Sequence, residues 1–377
     1  EFIPALMGEA VYDLFKQVKE AFDPHYLFNA GKIVRTPPMD THLRYAPEKP
    51  SPVVPTVFQF LETGGILAMA EKCSGSGDCR KSPGAGGTMC PSYMATRREK
   101  DTTRARANLL RQFLSQFADT GNAFDHHALK EVMDLCLSCK GCKSECPSAI
   151  DVAKMKAEFL QHYYDAHGVP LRSQLVGHFS GLMRVVSWFS GFYNYLYSHN
   201  SSRRFLNRIA GFHPHRTMPL LHDTTLLGYY RRHVQHLSVR PPKNGTVYLF
   251  CDEFTNYNDV PAGIAALRLL RALGYETIIP VHGESGRTWL SKGLVRRAQK
   301  TAVRNVRLLH PLISAETPLI GLEPSAILTF RDEYPDLVHP SRRSVAQQLG
   351  QNALLLEEWF FREVEKGHIR EEQFTEE

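Results

Sequence analysis

Seven of the eight cysteines lie between Cys73 and Cys146. The densest run, CLSCKGCKSECP, places Cys136, Cys139, Cys142 and Cys146 at C-x2-C-x2-C-x3-C, followed by Pro147. That spacing binds iron–sulfur clusters. Three thiolates two residues apart wrap a short loop around one cubane and bond three of its irons. Gly141, between Lys140 and Lys143, permits the tight turn, and loop amides can point at cluster sulfurs. The fourth cysteine comes too late to close the same cube and reaches a second cluster. Zinc sites instead favour two separated C-x2-C pairs.

A second motif, CSGSGDCRKSPGAGGTMCPSY, supplies Cys73, Cys79 and Cys90, followed by Pro91. In register with the first run, Cys73 is the first ligand, Ser76 falls on the second, Cys79 is the third, and Cys90 is the fourth, displaced by a Gly-rich insertion. The exchange of fourth ligands assigns Cys90 to the cube of Cys136, Cys139 and Cys142. The other cluster receives Cys73, Cys79 and Cys146, one thiolate short. It is a 3Fe–4S cluster, or a 4Fe–4S cluster completed by Ser76 or another non-cysteine ligand, or a cube with one iron open. The C-x5-C spacing resembles the three-iron site in the iron–sulfur subunit of succinate dehydrogenase and fumarate reductase. The long gap to Cys90 departs from that pattern.

Cys251 stands apart, at the end of the expected strand Thr246–Cys251. Its plain reading is a small buried side chain. Its functional reading follows from topology, since ligands bind beyond the carboxyl ends of parallel strands. Those ends carry Cys251, Asp252 and Glu253, then His282, Ser285 and Arg287, then Glu323 and Ser325, a possible second site. The seventeen histidines show no metal-ligand spacing with a partner acid, so His126, His127, His213 and His215 read as surface or packing residues. Arg97, Arg98, Lys100, Arg104 and Arg106 follow the first cysteine loop as a solvated face or as charge compensation for a cluster.

These residues need elements to position them. The stretch Glu9–Phe22 has helical periodicity and stops at Asp23-Pro24. Residues 38–57 are Pro-rich and read as a linker. Within 58–165 the patterning predicts helices from Thr102 to Phe117 with Asp101 as N-cap, from Phe124 toward Cys136, and after Asp151. Residues 166–240 read as a helical connector ending in extended segments. Beyond 241, strands Thr246–Cys251, Glu276–Val281 and Thr317–Leu322 alternate with helices Pro261–Leu273, from Thr288, and after Pro324. That alternation predicts a parallel sheet. The fold class is therefore mixed: a helical bis-cluster domain followed by an α/β parallel-sheet domain.

Composition is that of a globular chain, with 43% hydrophobic residues. The net charge of +6 lacks an aromatic-basic recognition motif, which argues against nucleic acid. It suits clusters whose thiolates carry negative charge. No segment reaches the roughly 18–20 apolar residues of a membrane span. Leu182–Tyr197 comes nearest, but Arg184 and Asn194 make it an amphipathic helix packed on protein, with a membrane-surface or partner-docking role as the alternative. No signal peptide is visible, and clustered ligand-type cysteines fit a reducing, cytoplasmic setting. The start at Glu1, inside an amphipathic pattern, suggests a piece of a larger polypeptide.

The segment AFDPHYLFNAGKI (Ala21–Ile33) resembles the closing segment of FAD-linked oxidases of the D-lactate and glycolate oxidase type, with Ala30 in place of a proline. The two cysteine motifs resemble the iron–sulfur part of bacterial flavin/iron–sulfur fusion dehydrogenases acting on D-2-hydroxy acids, including D-2-hydroxyglutarate. FCDEFTNYND, SGRTWLSKG and GLEPSAILTFRDEYPDL look like their C-terminal CCG-type domain. The resemblance implies an oxidase tail over 1–37, the linker over 38–57, a 4Fe–4S ferredoxin-type domain over 58–165, the connector over 166–240 and an incomplete CCG-like domain over 241–377. It implies FAD in a preceding flavin domain and two clusters that carry electrons to a quinone, a cytochrome or an electron-transfer protein, with a peripheral position at the inner membrane. Two alternatives stay open: an iron–sulfur subunit of a heterodisulfide-reductase-like or anaerobic glycerol-3-phosphate dehydrogenase-like complex, and a non-enzymatic zinc module.

Overall fold

A computed structural model describes residues 2–43, 45, 46, 48, 51–116, 122, 124–236 and 244–374. The chain divides into two compact units, Glu1–Pro52 and Val53–Glu377.

In the first unit, helices Ile3–Met7 and Glu9–Phe22 are separated by Gly8, whose φ of +85° suits a residue without a side chain. The second helix occupies the expected span. Asp23 closes it by accepting from the Leu27 amide at 2.8 Å and the Phe28 amide at 3.0 Å while pairing with Lys19. Val11, Leu14, Val18 and Phe22 remain exposed. Pro47 and Pro50 of the expected linker lie outside the described residues.

In the second unit, the helices around the cysteines appear close to their expected places, at Thr103–Ser115, His127–Asp134 and Val152–His167. The cap of the first differs. Thr102, not Asp101, accepts from the Ala105 amide at 2.9 Å, while Asp101 takes the Thr96 hydroxyl at 2.7 Å. A threonine in extended conformation is a good N-cap, and the preceding 3-10 turn Glu99–Asp101 holds Asp101 one residue too early. Phe117, expected to end this helix, lies outside the described residues.

The α/β part holds a four-stranded sheet: β1 (Thr246–Phe250), β2 (Glu276–Ile278), β3 (Leu319–Gly321) and β4 (Ala353–Leu355), in the order β2-β1-β3-β4. Every pairing is parallel, with Val247 opposite Thr277, Leu249 opposite Ile320, and Ile320 opposite Leu354. The fourth strand was not expected, because three residues carry no usable periodicity. The helix expected from Thr288 is two, Arg287–Ser291 and Val295–Leu309. Gly293 parts them at φ +72°, and a Cβ there would lie 2.2 Å from the Leu160 Cβ. The break lets this segment lie directly on the Val152–His167 helix.

One continuous core spans both parts, from Phe58, Leu110, Met133 and Phe159 to Phe330, Tyr334 and Leu349. Buried Glu158 fastens the irregular segment that enters this unit by accepting from the Val57 and Phe58 amides at 2.7 and 3.0 Å. Between the two parts, helices Leu171–Gly177, Phe179–Val186, Ser190–Ser198, Asn200–Ile209 and Leu226–His233 form the connector. Residues 237–243, which include the end of its expected extended exit, and residues 375–377 lie outside the described residues.

Candidate metal centre

The cysteine loops fold around two separate hollows. One is lined by Cys90, Cys136, Cys139 and Cys142, with Ser138, Thr103 and Arg106 among the other walls. The second is lined by Cys73, Cys79 and Cys146, with Ser76, Gly75, Gly77 and Arg104. Among the described residues no three Cys, His, Asp or Glu side chains meet closely enough for one metal ion. Four thiols around one hollow and three around the other are a donor set whose chemistry suits iron–sulfur clusters.

The loop of the ferredoxin run gets its curl from Ser138 and Lys140, at φ +55° and +61°. Gly141 sits where the two cysteine motifs touch. A Cβ on it would lie 2.8 Å from the Thr88 Oγ1 and 3.4 Å from the Met89 amide nitrogen. Glu145 then holds the end of the Gly-rich insertion. Its carboxylate accepts from the Thr88 amide and hydroxyl, both at 2.6 Å, and from the Met89 amide at 3.2 Å. These contacts carry Cys90 across to the thiols of the other motif.

Three helix starts face three of the sulfurs. The Val152 amide points at Cys142, the Arg104 amide at Cys79 and the Tyr93 amide at Cys90. Each amide belongs to the first turn of its helix, where N–H groups have no partner within the helix and the dipole favours negative charge. Burial raises the Cys142 thiol to about 12 and also raises Cys79. Burial pushes Cys90 up too, but the Ser92 hydroxyl and the Arg106 guanidinium outweigh it, so this thiol lies below its ordinary value. Arg106 is itself buried. Its Nη1 donates to the Cys90 sulfur at 3.4 Å and its Nε to the Val132 carbonyl at 3.0 Å, while Nη2 has no partner. A buried cation with a spare donor beside a thiol fits an anionic group in this hollow.

Of the other basic residues after the first loop, Arg104 lines the second hollow, Lys100 pairs with Glu131, and Arg97 lies over the Tyr93 ring. His126 stacks on Phe113, and His213 lies against His215.

Sequence patterning did not single out the ion network that ties the cysteine loop to the sheet domain. Lys140 pairs with Asp332, with Glu333 at 2.8 Å and with Asp151 at 3.3 Å; Lys143 pairs with Asp332. Burial opposes the charge on Lys140, but Glu333, Asp151 and Asp332 outweigh it and raise its pKa. Burial likewise disfavours an Asp332 carboxylate, yet Lys140, Lys143 and Lys154 hold it well below the usual range. The partners lie far apart in the chain, so no local pattern marks them.

A cavity of about 570 Å³ opens at the carboxyl ends of β1 and β2. Cys251, Asp252, Glu253 and His282 line it, with Arg184, Arg231 and Arg304. The His282 ring is fully engaged. Its Nε2 accepts from the Cys251 amide at 3.3 Å, which leaves the proton on Nδ1, 2.6 Å from the Gly283 carbonyl. Burial lowers its pKa. Burial, then the nearby Asp252, raise the Cys251 thiol, which stays protonated 3.5 Å from the Asn256 Oδ1. Ser285 stands behind Glu253, donating its hydroxyl at 2.6 Å and its amide at 3.0 Å. Arg287 turns to Glu333 at 2.7 Å. Glu323 lines a different cavity, beside Asp259 and Leu322, and caps its own helix by accepting from Ser325. The eight residues therefore do not form one constellation.

Residues 72–151 match the family described as 4Fe-4S dicluster domain. The chain is 26% identical to a D-2-hydroxyglutarate dehydrogenase of Pantoea ananatis over 98% of its own length and 39% of that protein. It is 26% identical to the D-2-hydroxyglutarate dehydrogenase of Escherichia coli over 95% of its length and 38% of that protein. With the Haemophilus influenzae D-2-hydroxyglutarate dehydrogenase it shares 23%, over 98% and 38%. The chain thus spans well under half the length of these relatives. No solved structure matches it. Residues 72–151 are a 4Fe–4S dicluster domain, and the chain as a whole is a distant homologue of the C-terminal part of D-2-hydroxyglutarate dehydrogenases.

Proposed function

We propose that this chain is the electron-transfer portion of a flavin-dependent D-2-hydroxy-acid dehydrogenase of the D-2-hydroxyglutarate or D-lactate type. The observation that carries the reading is the division of seven thiols between two hollows, four and three. Cys90, Cys136, Cys139 and Cys142 hold a 4Fe–4S cluster. Cys73, Cys79 and Cys146, with Ser76 beside them, hold the other, as a three-iron or four-iron cluster. Such clusters supply one-electron transfer when bound.

The chain's own part is to hold and tune. The amides of Val152, Arg104 and Tyr93 and the Arg106 guanidinium stabilise negative charge on the sulfurs. Cys139 is exposed, which gives the first hollow a face open to an electron partner. The flavin domain of the same polypeptide supplies electrons, and a quinone, cytochrome or electron-transfer protein accepts them. The setting is cytoplasmic, either free or peripheral at the inner membrane; among the described residues no helix is long and apolar enough to cross a membrane.

The Ala21–Ile33 segment favours this reading over a heterodisulfide-reductase-like or glycerol-3-phosphate dehydrogenase-like subunit, which would lack an oxidase tail. The C-x2-C-x2-C-x3-C-P spacing and the match of residues 72–151 to a 4Fe-4S dicluster domain favour it over a zinc module. Anaerobic purification followed by iron and zinc analysis and EPR, oxidised and reduced, tests it. Two cluster signals are expected, and Cys139→Ala and Cys79→Ala should each remove a different one. A colourless zinc protein, or one signal lost in both variants, would overturn it.

A further inference from the structure

We propose that the helical stretch 179–209 is a docking surface for an anionic phospholipid bilayer. This inference is independent of how the clusters are used. The helices Phe179–Val186 and Ser190–Ser198, joined by the turn Ser187–Phe189, run almost without interruption. Their inner face is committed. Met183 packs with Leu221 and Tyr257, and the Asn194 side chain exchanges two hydrogen bonds with the Leu221 backbone, at 2.8 and 2.9 Å. The opposite face carries Leu182, Val185, Trp188, Phe189, Phe192 and Tyr195, all exposed. Their spacing of three or four residues makes one stripe along the stretch. Trp188 is 82% exposed and Phe192 67%. The next helix, Asn200–Ile209, adds exposed Phe205 and Ile209 one turn apart.

Charge says what covers this stripe. Residues 166–222 contain no Asp or Glu. The same stretch exposes Arg172, Arg184, Arg204, Arg208 and Arg216. Arg184 faces Glu284 in the strand-end cavity, but the other arginines and an apolar stripe rich in Trp, Phe and Tyr suit the boundary between acyl chains and anionic headgroups. Tryptophan and tyrosine favour that boundary because each combines an apolar ring with a polar handle. The helices are too short to span a bilayer, so the fit is to its surface.

The test is flotation of the anaerobically purified chain with vesicles of phosphatidylglycerol or of phosphatidylcholine, read with tryptophan emission. Trp359 is buried and Trp289 half-buried, so Trp188 dominates any change. Phosphatidylglycerol vesicles should carry the protein and blue-shift its emission. Phosphatidylcholine should not, and binding should fall at least about ten-fold on going from low to high salt. Phe189→Ser with Phe192→Ser should weaken binding by about ten-fold or more, and Arg204→Gln with Arg208→Gln should remove the lipid-charge preference. Circular dichroism and cluster absorbance confirm that each variant is folded. No binding to phosphatidylglycerol at low salt overturns the proposal, as does binding unchanged in the Phe189/Phe192 variant. A dimer or protein complex that this variant dissolves, without lipid binding, also overturns it and assigns the stripe to a protein partner.

Discussion

Lys154, on the helix that follows the ferredoxin run, forms an ion pair at 2.8 Å with Asp336 of the sheet domain, and both side chains are buried. With Lys140 and Lys143 on Asp332, it ties the cysteine loop to a segment almost two hundred residues later. Removing one partner of a buried pair leaves an uncompensated charge. Lys154→Met should therefore cost about 3–5 kcal/mol in chemical unfolding, Asp336→Leu less because Asp151 and Asp332 remain near Lys154, and the double variant should recover most of the larger loss. A double variant as unstable as Lys154→Met would show that neither charge was compensating the other.

Arg106 places a buried positive charge against Cys90. Reduction adds negative charge to a cluster, so the arginine favours the reduced state. Arg106→Gln should lower the potential of the first cluster by on the order of 60 mV, a tenfold change for a one-electron couple. An EPR-monitored redox titration measures this. The second cluster's potential serves as the internal control.

A Cβ at 141 would lie 2.8 Å from the Thr88 Oγ1, so a methyl group there displaces the hydroxyl that Glu145 holds and loosens the segment that carries Cys90. Gly141→Ala should lose the Cys90/Cys136/Cys139/Cys142 cluster selectively, seen as lower iron content and loss of one EPR signal. Retention of both clusters would mean that the loops adjust without separating Cys90 from its partners.

Ser76 lines the three-thiol hollow, and in register with the ferredoxin run it falls on the second ligand. Ser76→Cys should supply a fourth thiolate. If the native cluster holds three irons, its signal in the protein as isolated should disappear and a second reduced cubane signal should replace it. If the native cluster already holds four, its nuclearity stays and only its potential shifts.

Burial pushes Glu253 up from its ordinary 4.5 to about 7, although Ser285 donates two hydrogen bonds to it. The folded state therefore keeps a proton that the unfolded chain releases. Stability is full below about 4.5 and falls as pH rises to about 7, by about 3 kcal/mol at most. Glu253→Gln should be close to wild type near pH 5 and more stable near pH 8, as read by thermal unfolding. Equal melting curves at both pH values would contradict this account.

The dicluster domain was legible in the sequence because the cysteines of each motif are local. Cys136, Cys139, Cys142 and Cys146 declare themselves by spacing, and helix-period and strand-period patterning located most elements, including Glu9–Phe22 and β1. The short strand β4 and the break at Gly293 left no such mark. The first follows only from pairing with β3, and the second from contact with Leu160. The second-site candidates show the same limit. Adjacency to strand ends brought Cys251, Asp252, Glu253 and His282 to one cavity but not Glu323 or Ser325, because each loop turns independently of its neighbours.

By itself, then, the sequence determined the kind of centre, since thiolate number and spacing decide what a short loop can ligate. Tertiary structure decided how the centre is assembled and held. Glu145 carries Cys90 across the insertion, Arg106 and three helix starts face the sulfurs, and Lys140, Lys143 and Lys154 fasten the cysteine loop to Asp332 and Asp336. Each of these joins residues distant in the chain, and a charge or hydrogen bond acts through space, so no pattern along the chain records it.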